Sequence, residues 1–359
     1  MRTLSRGGVT LKYPDEIGFA FNPCLIVVTG SGVGSMELEM TGEDGTVVND
    51  QRDAFSGGCY AEVREYVQSF FNPDGYGVVS YQSRERAKTG QRILFRVIAG
   101  GETFDFSVFY VWGAMKPGGQ EVYNGPKVLG AWVGYPFTVG VFVSGADTVN
   151  FVRTSGSTSV SISGIGVWNI PLEVVNVGDL YYVTSGGSGI RQATFDDTFD
   201  LTFRLAPWDN GNSLRVRVME DVEDGMYLRW IDRHGFYRYW LFEKGARRHS
   251  VGNEGQFLRN NIISEDMEYG YQGGLGRQMI MTREEIVPVC APLVDGDTWD
   301  MLADMVSSPF VDMFTGYGSD GVPRWVSVQA QEGTITKDRV VLQDFEAGVK
   351  MPDVPIQRL

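Results

Sequence analysis

Along most of the chain apolar and polar positions alternate with the period of β-strands, and only short stretches switch to helical spacing. Met36, Leu38 and Met40 alternate with Glu37 and Glu39, and Phe104, Phe106, Val108, Tyr110 and Trp112 form a second such stripe. Val160 and Ile162 sit between Ser159, Ser161 and Ser163, and Leu214, Val216 and Val218 repeat the rule. Tyr60, Val63, Val67 and Phe70 recur at helical spacing, which predicts a short amphipathic helix lying across a sheet. Asp297 is placed to cap a second helix whose Trp299, Leu302, Met305 and Val306 face inward, with Ser307-Ser308-Pro309 as its stop. Residues 325–330 and 340–345 read as two last strands.

Residues 227–242, YLRWIDRHGFYRYWLF, predict a hairpin of two aromatic strands around an Asp-Arg-His-Gly turn. On the second arm Tyr237, Tyr239 and Leu241 point one way and Arg238, Trp240 and Phe242 the other, so both faces carry large side chains. Such a strand needs cover on both faces, from a second layer or from another subunit. Arg229, Trp230, Arg238, Tyr239 and Trp240 are therefore the candidate assembly or packing residues.

Composition sharpens this picture. At 359 residues the chain suits two or three domains, and 46 glycines with 13% aromatics fit strands and turns. The fold class expected is mainly β, tandem β-sandwich-like domains with one or two short covering helices. The turn-rich Lys116-Pro117-Gly118-Gly119 closes a first domain at 1–116. A Gly/Ser/Thr-rich small sandwich module, fibronectin-like in character, follows at 120–206. Residues 207–349 form a third domain holding the aromatic hairpin, a long arm without clear period at 253–276 and the second helix, and 350–359 is an extended tail with Pro352 and Pro355.

Charge narrows the partners. With 31 basic against 45 acidic residues the net charge is -14, which opposes non-specific binding to nucleic acid or anionic membrane and leaves proteins or glycans. Residues 195–226 hold eight acids against three arginines, and 227–250 hold six Lys/Arg against two acids. Such blocks either pair across a head-to-tail subunit contact or are solvated faces of one monomer. Three cysteines, Cys24, Cys59 and Cys290, do not make a secreted disulfide framework; a Cys24–Cys59 bridge is conceivable, with buried free thiols the commoner state. The first twenty or so residues lack an apolar core and no run of about 18 apolar residues occurs, so the expectation is a soluble chain made in the cytoplasm.

Candidate chemistry is sparse. Gly30-Ser31-Gly32-Val33-Gly34 follows an apolar strand, but residues 36–40 alternate as a strand where a nucleotide site needs a helix, so a hairpin turn is expected there. Gly186-Gly187-Ser188-Gly189 and Gly273-Gly274-Leu275-Gly276 are read as turns too. His234 and His249 are the only histidines, too few for a zinc site or a Ser-His-Asp triad. Asp196, Asp197, Asp200, Glu220, Asp221, Glu223 and Asp224 could in principle flank a sugar, yet nothing singles out a pair, and the spaced pattern of a calcium loop is missing. No catalytic residue, cofactor or metal is assigned, and the chain is not expected to be an enzyme. Trp132, Tyr135, Trp168, Tyr181 and Tyr182 lie in the loop-rich middle; filling a small sandwich core is the commoner use of such residues, and Trp132, Trp168 and Tyr181 are the candidate glycan contacts if they are exposed.

Several segments together carry a resemblance. Residues 227–231 with 239–242 resemble a recurrent hairpin in virion proteins encoded by phages and prophages of gut bacteria. Cys290-Ala291-Pro292-Leu293-Val294, the short helix, Ser308-Pro309 and Trp325-Val326-Ser327-Val328 look like the C-terminal module of those tail or baseplate proteins. Phe19-Ala20-Phe21-Asn22-Pro23, then Arg52, Phe55 and Phe70-Phe71, resemble their leading β-domain. The resemblance covers about two thirds of the chain and carries no catalytic residues. It implies a structural subunit of a phage tail, a baseplate, distal-tail or tail-tip ring component. Its partners would be copies of itself in a ring or other homo-oligomer and other tail proteins, and its place the virion, assembled in the host bacterial cytoplasm. The alternative is a glycan-binding adhesin or receptor-recognition module.

Overall fold

A computed structural model describes residues 1–114, 128–143, 147–153, 156–185, 193–195, 201–203, 214–257 and 277–352. The chain is mainly β, with multiple sheets and two α-helices among the described residues. Expectations for Lys116–Gly119, Gly186–Gly189, Gly273–Gly276 and most of the tail fall outside them.

The leading unit is a sandwich. One sheet has the order Arg2–Arg6, Val9–Tyr13, Leu25–Gly30, Gly58–Glu62; the other runs Ile17–Phe19, Glu102–Val111, Gly90–Ala99, Ser35–Thr41, Val47–Asp53. Val9, Leu11, Ile26 and Val28 of the first share one buried core with Met36, Leu38, Met40, Phe95, Val97 and Phe104 of the second. A 2.8 Å contact between Cys24 Sγ and the Tyr110 hydroxyl ties the sheets together. Cys24 and Cys59 are both free, and burial pushes the Cys24 thiol up to about 12. Gly30–Gly34 is not a hairpin turn, because the strands it joins belong to different sheets. Gly30 itself has φ 156°, and a Cβ there would lie 2.6 Å from the Gly8 carbonyl oxygen, so only glycine fits.

The first helix, α1, is shorter than its spacing predicts. It covers Arg64–Ser69, buries Val67 and is followed by buried Phe70 and Phe71. Tyr60 instead belongs to the strand Gly58–Glu62, where pairing with Val27 holds it extended and half-exposed.

In the middle unit a five-stranded sheet has the order Val128–Trp132, Arg215–Met219, Leu180–Ser185, Asp147–Arg153, Gly156–Ile162. Its companion is three-stranded, Thr138–Val143, Gly166–Pro171 and Glu85–Arg86. Two boundaries read from sequence shift accordingly. Arg215–Met219, expected in the third domain, pairs in parallel with Val128–Trp132 and completes the middle sheet, and Glu85–Arg86 crosses over from the leading unit.

The third unit is a closed barrel of six antiparallel strands: Tyr237–Lys244, Met226–Ile231, Val311–Tyr317, Pro323–Ala330, Leu342–Lys350 and Arg277–Asp295, the last pairing back onto the first through Glu243 and Lys244. Closure shortens the sheet edges that an open sheet would expose, the seam between Pro323–Ala330 and Leu342–Lys350 being paired only at Gln329↔Lys350 and Ala330↔Val349. A seventh strand, Arg248–Phe257, pairs only with Arg277–Asp295. Residues 253–257, read as the start of a loop, are therefore strand.

Helix α2, Gly296–Ser307, buries Trp299, Met301, Leu302 and Met305, and the Trp299 ring lies 5.8 Å from Phe345 on the barrel wall. Its cap is Asp295 rather than Asp297: the Asp295 carboxylate accepts the Thr298 backbone N–H at 2.8 Å, leaving Asp297 in the first turn. Asp295→Ala is expected to cost about 1 kcal/mol in denaturant unfolding, with the slope of the transition unchanged.

Candidate functional site

The middle of the aromatic hairpin is a charged junction between units. Arg229 is 1% exposed, and its Nε and Nη2 donate to Asp312 Oδ2 at 3.0 and 2.7 Å. Nη1 donates to the Tyr81 hydroxyl at 2.9 Å and Nη2 to the Gly77 carbonyl at 2.6 Å, both from the leading part of the chain. The guanidinium carbon lies 4.2 Å from the centre of the Trp325 ring, a cation–π contact inside the protein. Tyr239, whose hydroxyl is 3.3 Å from that of Tyr81, meets Thr138 Oγ1 of the middle unit at 2.8 Å. Tyr227 donates to the Pro136 carbonyl at 3.0 Å. The guanidinium thus joins the barrel to the leading unit, Tyr227 and Tyr239 beside it reach the middle unit, and burial pushes the hydroxyls of Tyr81, Tyr227 and Tyr239 up so that they stay neutral.

The hairpin turn forms a second junction. Asp232 Oδ1 accepts the backbone N–H of His234 and of Phe236 at 2.9 and 3.0 Å, while Oδ2 takes Arg238 Nε at 2.6 Å. Burial alone would raise the Asp232 carboxyl, but Arg238, His234 and the Phe236 N–H outweigh it and hold it well below the usual carboxylate range. Gly235 has φ 76°, and its carbonyl oxygen accepts the Thr89 hydroxyl at 2.7 Å. Phe236 packs in a core with Phe19, Phe109 and Val111 of the leading unit and Phe142 and Val167 of the middle one. His234 is buried at this joint; no exposed histidine turn exists here.

These placements change the expected roles. Arg229, Trp230, Arg238, Tyr239 and Trp240 are all buried within one chain, so they are packing residues and cannot face a neighbouring subunit. The cover that the two-faced strand requires comes from the other units. Trp132 is 2% exposed and packs 5.2 Å from Trp240, and Tyr181 is buried as well, so neither can present a ring to a sugar. Trp168 is partly buried, its indole N–H directed to the Gly164 carbonyl at 3.4 Å. Five of the six cations of the basic block pair within the chain: Arg229, Arg233, Arg238, Lys244 and Arg247 with Asp312, Asp304, Asp232, Asp224 and Glu285. Glu220, Asp221, Glu223 and Asp224 are exposed on a turn, and Asp196, Asp197 and Asp200 lie outside the described residues. Among the described residues no group of three or more His, Cys, Asp or Glu is arranged to hold a metal ion. Gly77, Tyr81, Asp312 and Phe236 were not singled out by sequence, since partners 83 to 152 positions apart leave no local pattern.

Two outer features remain. A cleft of about 690 Å3 opens where the units meet, lined by Tyr81, Tyr135, Pro136, Pro171, Glu173, Tyr317 and Pro323 among others. Its aromatic wall is fixed, with Tyr135 packed 4.7 Å from Tyr227 and the Tyr317 hydroxyl donating to the Gly134 carbonyl at 3.1 Å. The other feature is a ribbon. Residues 277–284 of the long strand lie beyond the end of Leu342–Lys350 and pair, among the described residues, only with Arg248–Phe257. His249, Ser250, Val251, Arg283 and Glu284 on it are exposed. Compared with known proteins, the chain matches no family model and is similar to no curated protein.

Arg229→Ala or Asp312→Ala is expected to cost about 3–5 kcal/mol, because each strands a buried charge, whereas replacing both by apolar residues is expected to cost much less; chemical denaturation of the double-mutant cycle reads this directly. Asp232 has a lowered folded-state pKa, so its contribution is present above the unfolded value near 4 and is lost as the pH falls below it. The stability gap between the wild type and Asp232→Asn is therefore expected to be largest at neutral pH and to close in acid, measured as melting temperature against pH.

Proposed function

We propose that the chain is a structural subunit of a phage tail or baseplate, a distal-tail, tail-tip or baseplate ring component that works by protein–protein assembly rather than turnover. The observation that carries this reading is the ribbon. Eight residues, 277–284, span about 26 Å at roughly 3.3 Å each, and among the described residues they pair with no third strand. A two-stranded ribbon is marginal in water, so one this long is best explained by a surface that it docks on. The platform supports the same reading, because burying the aromatic hairpin between three units makes a rigid block from which an arm can reach a neighbour. The resemblance of residues 19–23, 227–242 and 290–328 to tail and baseplate proteins gives the class; the ribbon gives a physical reason for it. The partners are further copies of the chain and other tail proteins, and the place is the virion. The glycan-binding alternative is weakened, since two of its three aromatic contacts are in the core.

The test shortens the ribbon without touching the barrel. Gly252 pairs with Thr282, so residues 253–281 can be replaced by an Asn-Gly turn. The parent is expected to form discrete rings or tubes in light scattering and negative-stain images as its concentration rises, and the shortened chain to remain a folded monomer with the same melting temperature. Assembly of the shortened chain like its parent, or a parent that stays monomeric throughout, contradicts the reading.

A further inference from the structure

One sheet of the leading sandwich is open at both ends. In the order Arg2–Arg6, Val9–Tyr13, Leu25–Gly30, Gly58–Glu62, the two outer strands pair on one side only among the described residues. The phase of the hydrogen bonding decides which backbone groups look outward. Arg6 and Val9 close a two-residue turn at Gly7 (φ 53°) and Gly8 (φ 81°), so Arg6, Leu4 and Arg2 bond to Val9, Leu11 and Tyr13, while Thr3 and Ser5 direct their N–H and C=O to the open edge. At the far end the Val63 N–H bonds the Cys24 carbonyl at 2.9 Å, so Ala61 and Cys59 bond to Ile26 and Val28, and Tyr60 and Glu62 look outward. Each edge therefore offers two residues to a further strand.

The two edges fit one another. Neighbouring strands of the sheet are antiparallel throughout, so Arg2–Arg6 of a second copy, laid beside Gly58–Glu62 in the same orientation, is antiparallel to it as well. Setting Tyr60 opposite the neighbour's Ser5 puts Glu62 opposite its Thr3, and each pair exchanges two N–H···O bonds. The same register sets the neighbour's half-buried Leu4 against buried Ala61, and its Arg6 level with Cys59. Burial, and after it the nearby Asp53 carboxylate, push the Cys59 thiol up, so Asp53 lies beside the point that this Arg6 reaches. Among the described residues Asp53 has no ion-pair partner, and the Arg6 guanidinium donates to a carbonyl, that of Thr103, at 2.9 Å rather than to a carboxylate. With a net charge of -14, copies repel unless a basic edge meets an acidic one. Arg2–Arg6 holds two arginines and no acid, and Gly58–Glu62 holds one acid and no cation. Phe55, 80% exposed and paired with Gly58 across its turn, comes level with the neighbour's Gly7, where no side chain obstructs the ring. An exposed aromatic beside an unpaired strand edge is the mark of a contact surface.

We propose that Arg2–Arg6 of one copy adds to Gly58–Glu62 of the next, with Ser5 against Tyr60, Thr3 against Glu62 and Arg6 beside Asp53, so that one four-stranded sheet runs on into another. The contact uses a different edge on each copy and so repeats from copy to copy, the kind of interface from which a ring closes. The inference rests on the reading that the chain assembles with itself, and it names the surfaces that meet.

Cross-linking with a short bis-maleimide tests it, using two single variants, Ser5→Cys and Tyr60→Cys, each in a Cys290→Ser background. Mixed, the two are expected to give a linked dimer at least tenfold faster than either alone, with the Ser5→Cys peptide joined to the Tyr60→Cys peptide by mass. Linkage of Tyr60→Cys to itself at the same rate, or a mixture no faster than its components, overturns the proposal. Light scattering on the parent separates the two readings: rings without the mixed link overturn this contact and leave assembly standing, whereas a parent that stays monomeric overturns both. Independently, Thr3→Pro and Tyr60→Pro each remove an N–H that the sheet itself does not use, a position where an edge strand tolerates proline. Each is expected to keep the parent's melting temperature within a few degrees and to need at least tenfold more protein to assemble. Assembly of a folded proline variant at the parent's concentration overturns the proposal as well.

Discussion

A guanidinium buried where three β units meet is the constraint on which the rest of the molecule depends. Taking Arg229 out of water costs several kcal/mol unless every donor finds a partner, and its partners come from Asp312, Tyr81 and Gly77 together. The charge is satisfied only when the barrel wall and the 77–81 segment are both in place. Trp325 lying over its face and Tyr239 reaching Thr138 extend that condition to the neighbouring sheets. Arg229 therefore specifies one arrangement of the units more than it adds stability.

Asp232 applies the same logic at the turn. By accepting two backbone N–H groups and Arg238 it fixes the loop that carries Phe236 into the second core. With both ends of the hairpin fixed, the barrel cannot rock against the leading sandwich without exposing aromatic surface. The barrel and the leading sandwich are consequently held in a constant relation.

Much of the fold was legible where one face of a strand is buried and the other wet. Met36–Met40 and Phe104–Tyr110 alternate because they line a sandwich core, and the turn at Asp232–Gly235 is visible through its residue types alone. The aromatic hairpin announced that both its faces are covered, but the sequence did not distinguish cover by another unit from cover by another subunit. The ribbon was missed because Arg248–Phe257 carries no apolar alternation, so residues 253–257 read as loop. Arg215–Met219 was placed in the wrong unit because its partner, Val128–Trp132, is parallel and far away in sequence. The junction around Arg229 escaped for the same reason, since Gly77, Tyr81 and Asp312 meet it only in space. Trp132 and Tyr181 are buried, which is the commoner use of such residues in a small sandwich core, where a sugar site would draw on the same residue types.

The claim that the units form one body is tested most directly by scanning calorimetry of the intact chain alongside its van't Hoff analysis. Shared cores and a shared buried charge predict a single transition in which the two enthalpies agree. Two or three separable transitions, each with its own enthalpy, would contradict the account by showing that the sandwich, the middle unit and the barrel unfold independently.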